Sequence, residues 1–464
     1  MTMKRRALNS FLAFFSLGFG FSPSIAEAAV TSCDVLVVGS GAAGLSAALE
    51  AADAGCKVIL LEKEAFVGGD TLRSGGFYNA PDPKIQELIH VTDSPEFFYQ
   101  QLEESANGKG DPALRKILAY NSVDTLEWLK QQGVVFEERV FQIYGSKHPR
   151  SHKPSLISGT SYIQKLSEAC LQRGVKIMTG SYFSDFIVEG SNVIGAFVEH
   201  QGMRQQIYAK TIVLAAGGFG NNPEMVKRYV PSLKFVFSDS RGHGSVLQKA
   251  IDLGLKAENM DIVECVPEGS FLDQFSARIY VFVKNTLFVN ENGERFVDEA
   301  AQRNVISKAL IAQGDKRCYT IVGSENISKM GKDLRKNLYR AYFAGQVWKA
   351  NTLEELCEII EIPFAPIKAY VEQGDSSKTP SEAPFWAVRM YPWIHYTLGG
   401  LSINTDANCL TTSGQPVPNL FAAGQITGNV HGENRLGGCG LTDAFVFGRI
   451  AGQNAAKFAK SLPH

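Results

Sequence analysis

The sequence predicts an α/β fold in which a Rossmann-type nucleotide-binding domain carries an inserted α+β domain. Two apolar runs, residues 34–38 and 58–61, flank an alanine-rich helix and form a βαβ unit. The chain has 464 residues, enough for one large domain and a smaller one. Between residues 262 and 394 the glycine turns become fewer and the charge rises, which marks the inserted domain.

The spacing of apolar residues predicts the remaining elements. Helices are predicted at residues 42–54, 112–131, 159–173, 302–312, 353–360, 365–373 and 441–459. Strands are predicted near residues 175–178, 183–188, 193–199 and 207–214. We divide the chain into an export signal (1–28), a first part of the nucleotide-binding domain (29–261), the inserted domain (262–394) and a second part of the nucleotide-binding domain (395–464).

The first 28 residues have the layout of a secretory signal. Basic residues 4–6 precede an apolar stretch at 7–21, and a small-x-small cleavage site follows at 26–28. We expect a periplasmic protein exported by the Sec route or, because Arg5 and Arg6 are adjacent, by the twin-arginine route. The apolar stretch is short for a membrane span, so we expect no stable membrane insertion after cleavage; an uncleaved N-terminal anchor is the alternative.

Charge and cysteine content exclude several classes of function. Lysine and arginine total 46 against 47 aspartates and glutamates, which gives no electrostatic basis for binding nucleic acid. The cysteines form no Cys-x-x-Cys-His sequence, so this chain carries no c-type haem, and neither a disulfide framework nor a metal site is predicted. Cys33 lies in a sequence that resembles a lipoprotein processing site, but a strand beginning at residue 34 would leave no tether between a lipid and the fold.

The run GSGAAG, which begins at Gly39, lies between a strand and a helix, where a dinucleotide site requires it. Gly39 makes the tight turn, Gly41 lets the backbone approach a pyrophosphate, and Gly44 lets helix and strand pack closely. The helix N-terminus then faces the phosphates. Glu62 ends the second strand, where its carboxylate can accept hydrogen bonds from an adenosine ribose.

Further glycine turns favour FAD over a nicotinamide cofactor. A second glycine loop follows at residues 68–76, another strand ends in AAGGFG at 215–220, and a third strand-to-glycine turn ends at Gly424. An extended FAD needs backbone amides along its whole length, whereas a nicotinamide cofactor does not need all of these turns. The residues predicted to bind FAD are Gly39, Gly41, Ala43, Gly44, Glu62, Lys63, Gly69, Asp70, Thr71, Ser74, Gly75, Gly76, Phe183, Ala216, Gly217, Gly218, His395, Gly424, Gln425, Arg435, Gly438, Gly440 and Leu441.

A set of motifs spread over residues 33–461 matches one family pattern. The motifs are those at 39–44, 69–80, 111–114 (DPAL), 150–154 (RSHKP), 215–220, 290–296 and 395–400, and, the most specific, GENRLGG at 432–438. With them the chain resembles the flavoproteins of the soluble periplasmic fumarate reductase, or flavocytochrome c, group in the succinate dehydrogenase and fumarate reductase superfamily. The resemblance implies FAD beneath a mobile capping domain, here the inserted domain.

The same resemblance implies a reaction and a mode of FAD attachment. Flavin N5 transfers a hydride to the β-carbon of an α,β-unsaturated carboxylate, and an acid protonates the α-carbon. The membrane-bound branch of the superfamily attaches FAD through a histidine near the second glycine loop, but residues 70–76 contain no histidine. We therefore expect noncovalent FAD.

The residues of the substrate site also follow from the resemblance. His395 and Arg435 correspond to the family's histidine and arginine, whose fork binds a carboxylate. Each has a structural alternative, Arg435 as an ion-pair residue and His395 as a satisfied buried histidine under the flavin. Arg278 is the expected catalytic acid if the loop before Asn290 is rebuilt, with Tyr280 as the alternative donor; otherwise Arg278 is an exposed charge.

The chain departs from the family pattern at four positions. Val266 stands where the family has a histidine, and Phe282 aligns, without gaps, with its catalytic arginine. His243 replaces an aspartate and Gln425 replaces a glutamate. These changes affect the second anchor that a dicarboxylate needs, so we do not expect fumarate itself as the substrate.

Three functions remain open from the sequence. The leading one is an FAD-dependent oxidoreductase that reduces the C=C bond of an α,β-unsaturated monocarboxylate, such as an acrylate, an aryl acrylate or a urocanate-like compound. Its electrons would come from a separate periplasmic c-type cytochrome. The second is a flavin dehydrogenase that desaturates its substrate. The third is a flavoprotein without a catalytic acid that serves as an electron-transfer or binding subunit.

Overall fold

The computed structural model describes residues 31–143, 145–156, 159–190, 192–234, 236–268, 279, 284–373 and 379–462. The predicted export signal (1–28) and the predicted acid Arg278 lie outside these residues. Within them, no helix combines the length and the apolar character that crossing a bilayer would require.

The elements are numbered in chain order. The strands are β1 (Thr31–Val38), β2 (Val58–Leu61), β3 (Tyr78–Asn79), β4 (Ser151–His152), β5 (Lys176–Met178), β6 (Ser181–Glu189), β7 (Asn192–His200), β8 (Met203–Leu214), β9 (Phe237–Ser238), β10 (Ala257–Glu258), β11 (Val263–Glu268), β12 (Thr286–Asn290), β13 (Cys318–Val322), β14 (Val347–Ala350), β15 (Phe385–Thr397), β16 (Gly400–Leu401), β17 (Asn408–Leu410) and β18 (Pro416–Ala422). The α-helices are α1 (Ala42–Asp53), α2 (Pro83–Glu87), α3 (Pro95–Ala106), α4 (Pro112–Gln131), α5 (Thr160–Gln172), α6 (Pro223–Tyr229), α7 (Ser245–Asp252), α8 (Arg303–Ala312), α9 (Ser324–Lys329), α10 (Lys332–Phe343), α11 (Leu353–Ile359), α12 (Phe364–Gln373) and α13 (Cys439–Ser461). Short 3-10 helices span Gly69–Arg73 and Gly424–Ile426.

An eight-stranded sheet forms the centre of the molecule. Its strand order is β17-β18-β8-β1-β2-β5, and β7 and β6 extend it from β8. β1 pairs in parallel with both β2 and β8. Residues 35–38 and 58–61 are buried along their whole length, as expected for strands of a parallel sheet with both faces covered.

Small residues allow the first and last helices to pack closely. A Cβ atom added to Gly448 of α13 would lie 2.6 Å from the carbonyl oxygen of Ala43, and one added to Gly452 would lie 2.4 Å from that of Ala47. Any larger residue at these two positions would push α13 away from α1. The last helix therefore supports the helix whose N-terminus follows the GSGAAG loop.

A six-stranded sheet stands apart from the first. Its order is β11-β15-β13-β12, with β14 and β9 also paired to β15. Residues of β12 and β13 pack with α12 in a hydrophobic cluster separate from the central one, for example Leu287, Ile321 and Ile367. The long strand β15 runs through this sheet and carries His395 near its C-terminal end.

The predicted α/β fold class is confirmed, and so are the helices and strands listed from the sequence, whose ends lie within four residues of the prediction. β1 begins at Thr31, three residues earlier than predicted, because residues 31–33 continue the pairing with β8. Cys33 is consequently buried, and burial raises the pKa of its thiol to about 12. A lipid on this cysteine would have to displace a core side chain. The division of the chain at residues 261/262 and 394/395 stays a prediction.

Candidate active site

A cavity of about 450 Å³ lies at the carboxyl ends of the parallel strands β1, β2, β8 and β18. Ligands of open α/β sheets bind at this edge, because the loops that follow the strands leave a crevice there. The cavity extends to the end of β15, so that it has a nucleotide end near the GSGAAG loop and a second end near His395 and Arg435.

The nucleotide end is shaped by glycines whose Cβ atoms would not fit. Gly39 has a φ of 105°, and a Cβ atom there would lie 2.3 Å from the carbonyl oxygen of Ala215. A Cβ atom on Gly44 would lie 1.8 Å from the carbonyl oxygen of Gly39. α1 begins at Ala42, directly after this turn, and its N-cap residue Gly41 has no side chain that could cap the helix. The arrangement leaves a helix N-terminus that faces the cavity, which suits a phosphate group.

Glu62 lies at the same end and is 6% exposed. Its Oε2 accepts hydrogen bonds from the hydroxyl and the backbone N–H of Ser40, and its Oε1 accepts from the N–H of Glu64 at 2.8 Å. These donors fix the carboxylate at the end of β2, where the predicted ribose contact would be made. Lys63 is close by, and its Nζ donates to the carbonyl oxygen of Arg241 at 3.0 Å.

The second glycine loop is held in place by side chains that were predicted to touch FAD. Thr71 Oγ1 accepts the backbone N–H of Ala42 at 3.0 Å, which ties the loop to the start of α1. Asp70 accepts from Ser240 Oγ and from the N–H of Arg241, each at 2.5 Å. Desolvation raises the pKa of Asp70. Both residues line the cavity, and their structural contacts position the loop whether or not they also contact the cofactor.

Nearly all the residues predicted to bind FAD line this one cavity; the exceptions are Gly44 and Gly218. Gly218 has a packing role, since a Cβ atom there would lie 2.0 Å from Thr397 Oγ1. The buried Nε2 of Gln425 has no hydrogen-bond partner among the described residues. The cavity combines glycine turns, a helix N-terminus, the fixed carboxylate of Glu62 and the amide Nε2 of Gln425, which has no partner among the described residues. Together these features fit FAD. The individual FAD contacts stay predictions.

His395 and Arg435, 40 positions apart in the sequence, reach the other end of the cavity. The register of β11 and β15 shifts between Glu264, which faces Tyr396, and Cys265, which faces Ile394. His395 is thus the extra residue of a β-bulge, a distortion that redirects a side chain. Its Nδ1 lies 3.1 Å from Asp239 Oδ2.

Arg435 is 7% exposed and forms an ion pair in the interior. Its Nη2 donates to Glu264 Oε1 at 2.9 Å, and its Nη1 donates to the carbonyl oxygen of Leu436 at 3.1 Å. The guanidinium lies over the ring of Tyr396, with Cζ 4.7 Å from the ring centre. Its Nε has no acceptor among the described residues. Arg435 therefore forms the ion pair of the structural alternative and also lines the cavity, with its Nε–H unused.

Comparison with known proteins agrees with this geometry. The family model described as FAD binding domain matches residues 34–441. The chain is 33% identical to urocanate reductase of Eggerthella lenta, over 94% of this chain and 77% of that protein. It is 28% identical to the acrylate reductase flavoprotein subunit of Shewanella woodyi, with 90% of each chain covered. The solved structure of the open conformation of a flavocytochrome c3 fumarate reductase superposes with a TM-score of 0.79 at 32% identity, over 92% of this chain and 79% of that one.

The chain belongs to this family of FAD-dependent oxidoreductases. The resemblance found in the sequence motifs is thereby confirmed, and so is the prediction of a fumarate reductase-like enzyme. Two of the four departures from the family pattern, His243 and Gln425, line the cavity. A third, Val266 in β11, pairs with Trp393 of β15. Arg278, Tyr280 and Phe282 all lie outside the described residues, so the identity of the acid stays a prediction.

The side chains that support His395 and Arg435 were not predicted from the sequence. Asp239 and Glu264 lie 156 and 171 positions from their partners. No local spacing connects such pairs; the register of β15 with β9 and β11 brings them together. The only sequence signal was that Glu264 is an acidic residue in the mostly apolar segment 262–266.

A second buried pair lies behind Tyr396 and was also missed. His431 Nε2 is 3.3 Å from Asp443 Oδ2, and both side chains are at most 4% exposed. The rings of His431 and Tyr396 are nearly perpendicular, with centres 5.9 Å apart. Burial raises the pKa of Tyr396 well above its usual value, so its phenol stays protonated. This cluster forms the wall behind the guanidinium of Arg435.

Proposed function

We propose that this flavoprotein reduces the C=C bond of an α,β-unsaturated monocarboxylate. The observation that carries the proposal is the buried guanidinium of Arg435, which lines the FAD cavity and whose Nε–H has no acceptor among the described residues. A substrate carboxylate would supply this acceptor and hold the alkene next to the flavin. The names of two relatives, urocanate reductase and acrylate reductase flavoprotein subunit, refer to compounds of this class and support the proposal.

The chain's own residues would bind and orient the substrate. FAD, when bound, supplies the hydride from N5. Arg435 would bind one carboxylate oxygen through Nε, and His395, held by Asp239, would contact the carboxylate from the bulge in β15. If the His395 ring carries a proton on each nitrogen, it can donate to Asp239 and to the substrate at once. We propose Arg278 as the proton donor to the α-carbon.

A screen over unsaturated carboxylates tests the proposal. Purified holoprotein would be supplied with electrons by a reduced viologen, and oxidation of the dye would be followed with acrylate, aryl acrylates, urocanate and fumarate. We expect turnover with at least one monocarboxylate. A protein that oxidises the dye with none of these compounds would contradict the proposal and support the non-catalytic alternative. Turnover in the opposite direction only, seen with saturated acids and an acceptor dye, would support a dehydrogenase.

We propose that a separate periplasmic c-type cytochrome supplies the electrons. The sequence has no haem-attachment motif, and two relatives are named fumarate reductase (cytochrome). The signal-like N-terminus supports export. Mass spectrometry of the protein from its native cells would test export: a mature N-terminus near Ala29 is expected, and an uncleaved N-terminus in the cytoplasmic fraction would contradict it.

We propose that the FAD is noncovalent and that residues 262–394 form a capping domain over it. The first proposal is supported by the lack of a histidine at residues 70–76, and the second by the separate hydrophobic clusters of the six-stranded sheet. Acid or heat denaturation should release FAD into the supernatant. Flavin that stays with the denatured polypeptide would contradict the first proposal.

A further inference from the structure

A protein carboxylate already occupies part of the proposed substrate anchor. Glu264 and Arg435 have side-chain exposures of 2% and 5%, and their atoms Oε1 and Nη2 are 2.9 Å apart. Glu264 lies opposite Tyr396 in the pairing of β11 with β15, and the ring of Tyr396 lies against the guanidinium. Leu436 accepts from Nη1. The orientation of the guanidinium is therefore fixed before any substrate binds.

The guanidinium of Arg435 has N–H groups that its two protein acceptors do not use. Nε is buried and has no hydrogen-bond partner among the described residues, although the side chain lines the cavity. A buried cationic group with unused donors is unfavourable, so the site favours a further acceptor for the guanidinium. Nη2 is engaged by Glu264, which limits the contact with an incoming carboxylate.

Among the described residues, the two substrate-binding candidates at this end of the cavity, Arg435 and His395, each face a protein carboxylate. Glu264 stands against Arg435, and Asp239 stands against His395. Three further cations line the cavity. Lys63 and Arg241 lie at the nucleotide end beside Glu64, and Arg73 lies in the second glycine loop, where it interacts with Asp70. One substrate carboxylate can be held here, but a second one would meet the negative charge of the buried Glu264.

The next residue of β11 on the same face as Glu264 offers no hydrogen-bond donor to a second carboxylate. Val266 follows Glu264 by two residues in β11, and side chains two residues apart in a strand point to the same face. A valine has no hydrogen-bond donor. A second carboxylate near β11 would therefore find an apolar side chain and a like charge.

We propose that Glu264 is the residue that sets the charge specificity of this site, by admitting a carboxylate to Arg435 and rejecting dicarboxylates. The inference rests on the proposed function, because it assigns the substrate class of that same site. Glu264 acts on the ligand through its charge and through the position it gives Arg435.

The variant Glu264→Gln isolates the charge. The amide keeps an oxygen that can accept from Nη2 of Arg435, while the negative charge is removed. Binding of a dianion should gain more than binding of a monoanion, since the repulsion removed scales with ligand charge. We expect the ratio of the two dissociation constants to shift toward the dianion by at least about tenfold.

The test uses holoprotein and two anions that cannot be reduced, propionate and succinate, with binding measured by calorimetry. Wild-type protein should bind propionate more tightly than succinate, and Glu264→Gln should shift the ratio as stated. Glu264→Asp, which retains the charge, should keep the wild-type preference. The matched control is Glu50→Gln, because Glu50 pairs with Arg449 at 2.6 Å outside the cavity; its ratio should equal that of wild type.

Each outcome decides the inference. An unchanged ratio in Glu264→Gln overturns it, and so does a shift of the same size in Glu264→Asp, which would indicate shape instead of charge. If Glu264→Gln does not yield holoprotein, wild-type protein that binds succinate as tightly as propionate also overturns it. The dye-linked screen remains separate: wild-type protein that reduces no unsaturated acid contradicts the proposed function, while the propionate and succinate ratios still test Glu264.

Discussion

The two ends of the cavity are built in different ways. At the nucleotide end, backbone geometry makes the surface: Gly39 turns tightly against Ala215, and α1 starts immediately afterwards. At the carboxylate end, side chains make the surface, and Arg435 and His395 are each positioned by a carboxylate from a distant part of the chain. The nucleotide end therefore depends on the local absence of side chains, and the carboxylate end depends on the pairing of separate strands.

This difference predicts that a substitution at one end of the cavity impairs the function of that end and leaves the other end intact. A change in the backbone turn should remove the cofactor, since the space for the phosphates is lost. A change in one of the paired side chains should leave the cofactor bound and impair the handling of substrate. The following variants are ordered from the largest expected effect to the smallest.

Arg435→Ala should abolish turnover while FAD stays bound. The loss of a buried, charge-assisted contact costs about 2–5 kcal/mol, or about 30-fold to several thousand-fold in turnover or affinity. Flavin content and kcat/KM would be measured together. The control is Arg449→Ala, which breaks another arginine–glutamate pair in a residue that does not line the cavity. Loss of FAD, or full activity, would show that Arg435 is not the substrate anchor.

Arg278→Gln should lower turnover by at least about 100-fold, the lower end of the contribution of a general acid. Reduction of the flavin by dithionite should remain intact, because that step needs no substrate proton. The same assay would be run on Tyr280→Phe. If both variants are as active as wild type, neither residue is the donor, and the family mechanism does not transfer to this chain.

Gly39→Ala should lose FAD. The alanine would have to adopt a φ of 105° and place its Cβ 2.3 Å from a carbonyl oxygen, and a strained backbone position alone costs about 1–3 kcal/mol. We expect at least about tenfold weaker binding of FAD, measured as the flavin-to-protein ratio after dialysis. Gly55→Ala is the matched control, since Gly55 has a φ of 81° with no atom within 4 Å of the added Cβ. Equal flavin loss in both variants would assign the effect to backbone strain in general.

Asp239→Asn should raise KM by about tenfold and change kcat less, because the asparagine removes the charge that holds His395 but can still accept a hydrogen bond. The control is Asp185→Asn, which breaks an exposed ion pair with Lys249. An Asp239→Asn variant with the KM of wild type would show that the carboxylate does not position His395 for substrate.

The contrast between the ends also explains what the sequence could predict. The βαβ unit, the helices and the glycine turns follow from local patterns, and the structure confirms those elements within a few residues. Glu264 and Asp239 could not be paired with Arg435 and His395, since their proximity depends on strand register across more than 150 positions. The bulge that redirects His395 has the same origin. Thr71 and Asp70 were assigned to FAD from the motif alone, which did not reveal that they fasten the loop to α1 and to residues 240–241.

The central claim is that one cavity holds FAD at its backbone-built end and an unsaturated monocarboxylate at its side-chain end. A single-turnover experiment tests it most directly: anaerobic protein is reduced with stoichiometric dithionite and mixed with the monocarboxylate found in the screen. We expect the oxidised flavin absorbance to return in wild-type protein, whereas in Arg435→Ala the flavin should remain bound and reduced. Flavin that stays reduced in wild-type protein, or that is reoxidised equally fast in Arg435→Ala, would contradict it.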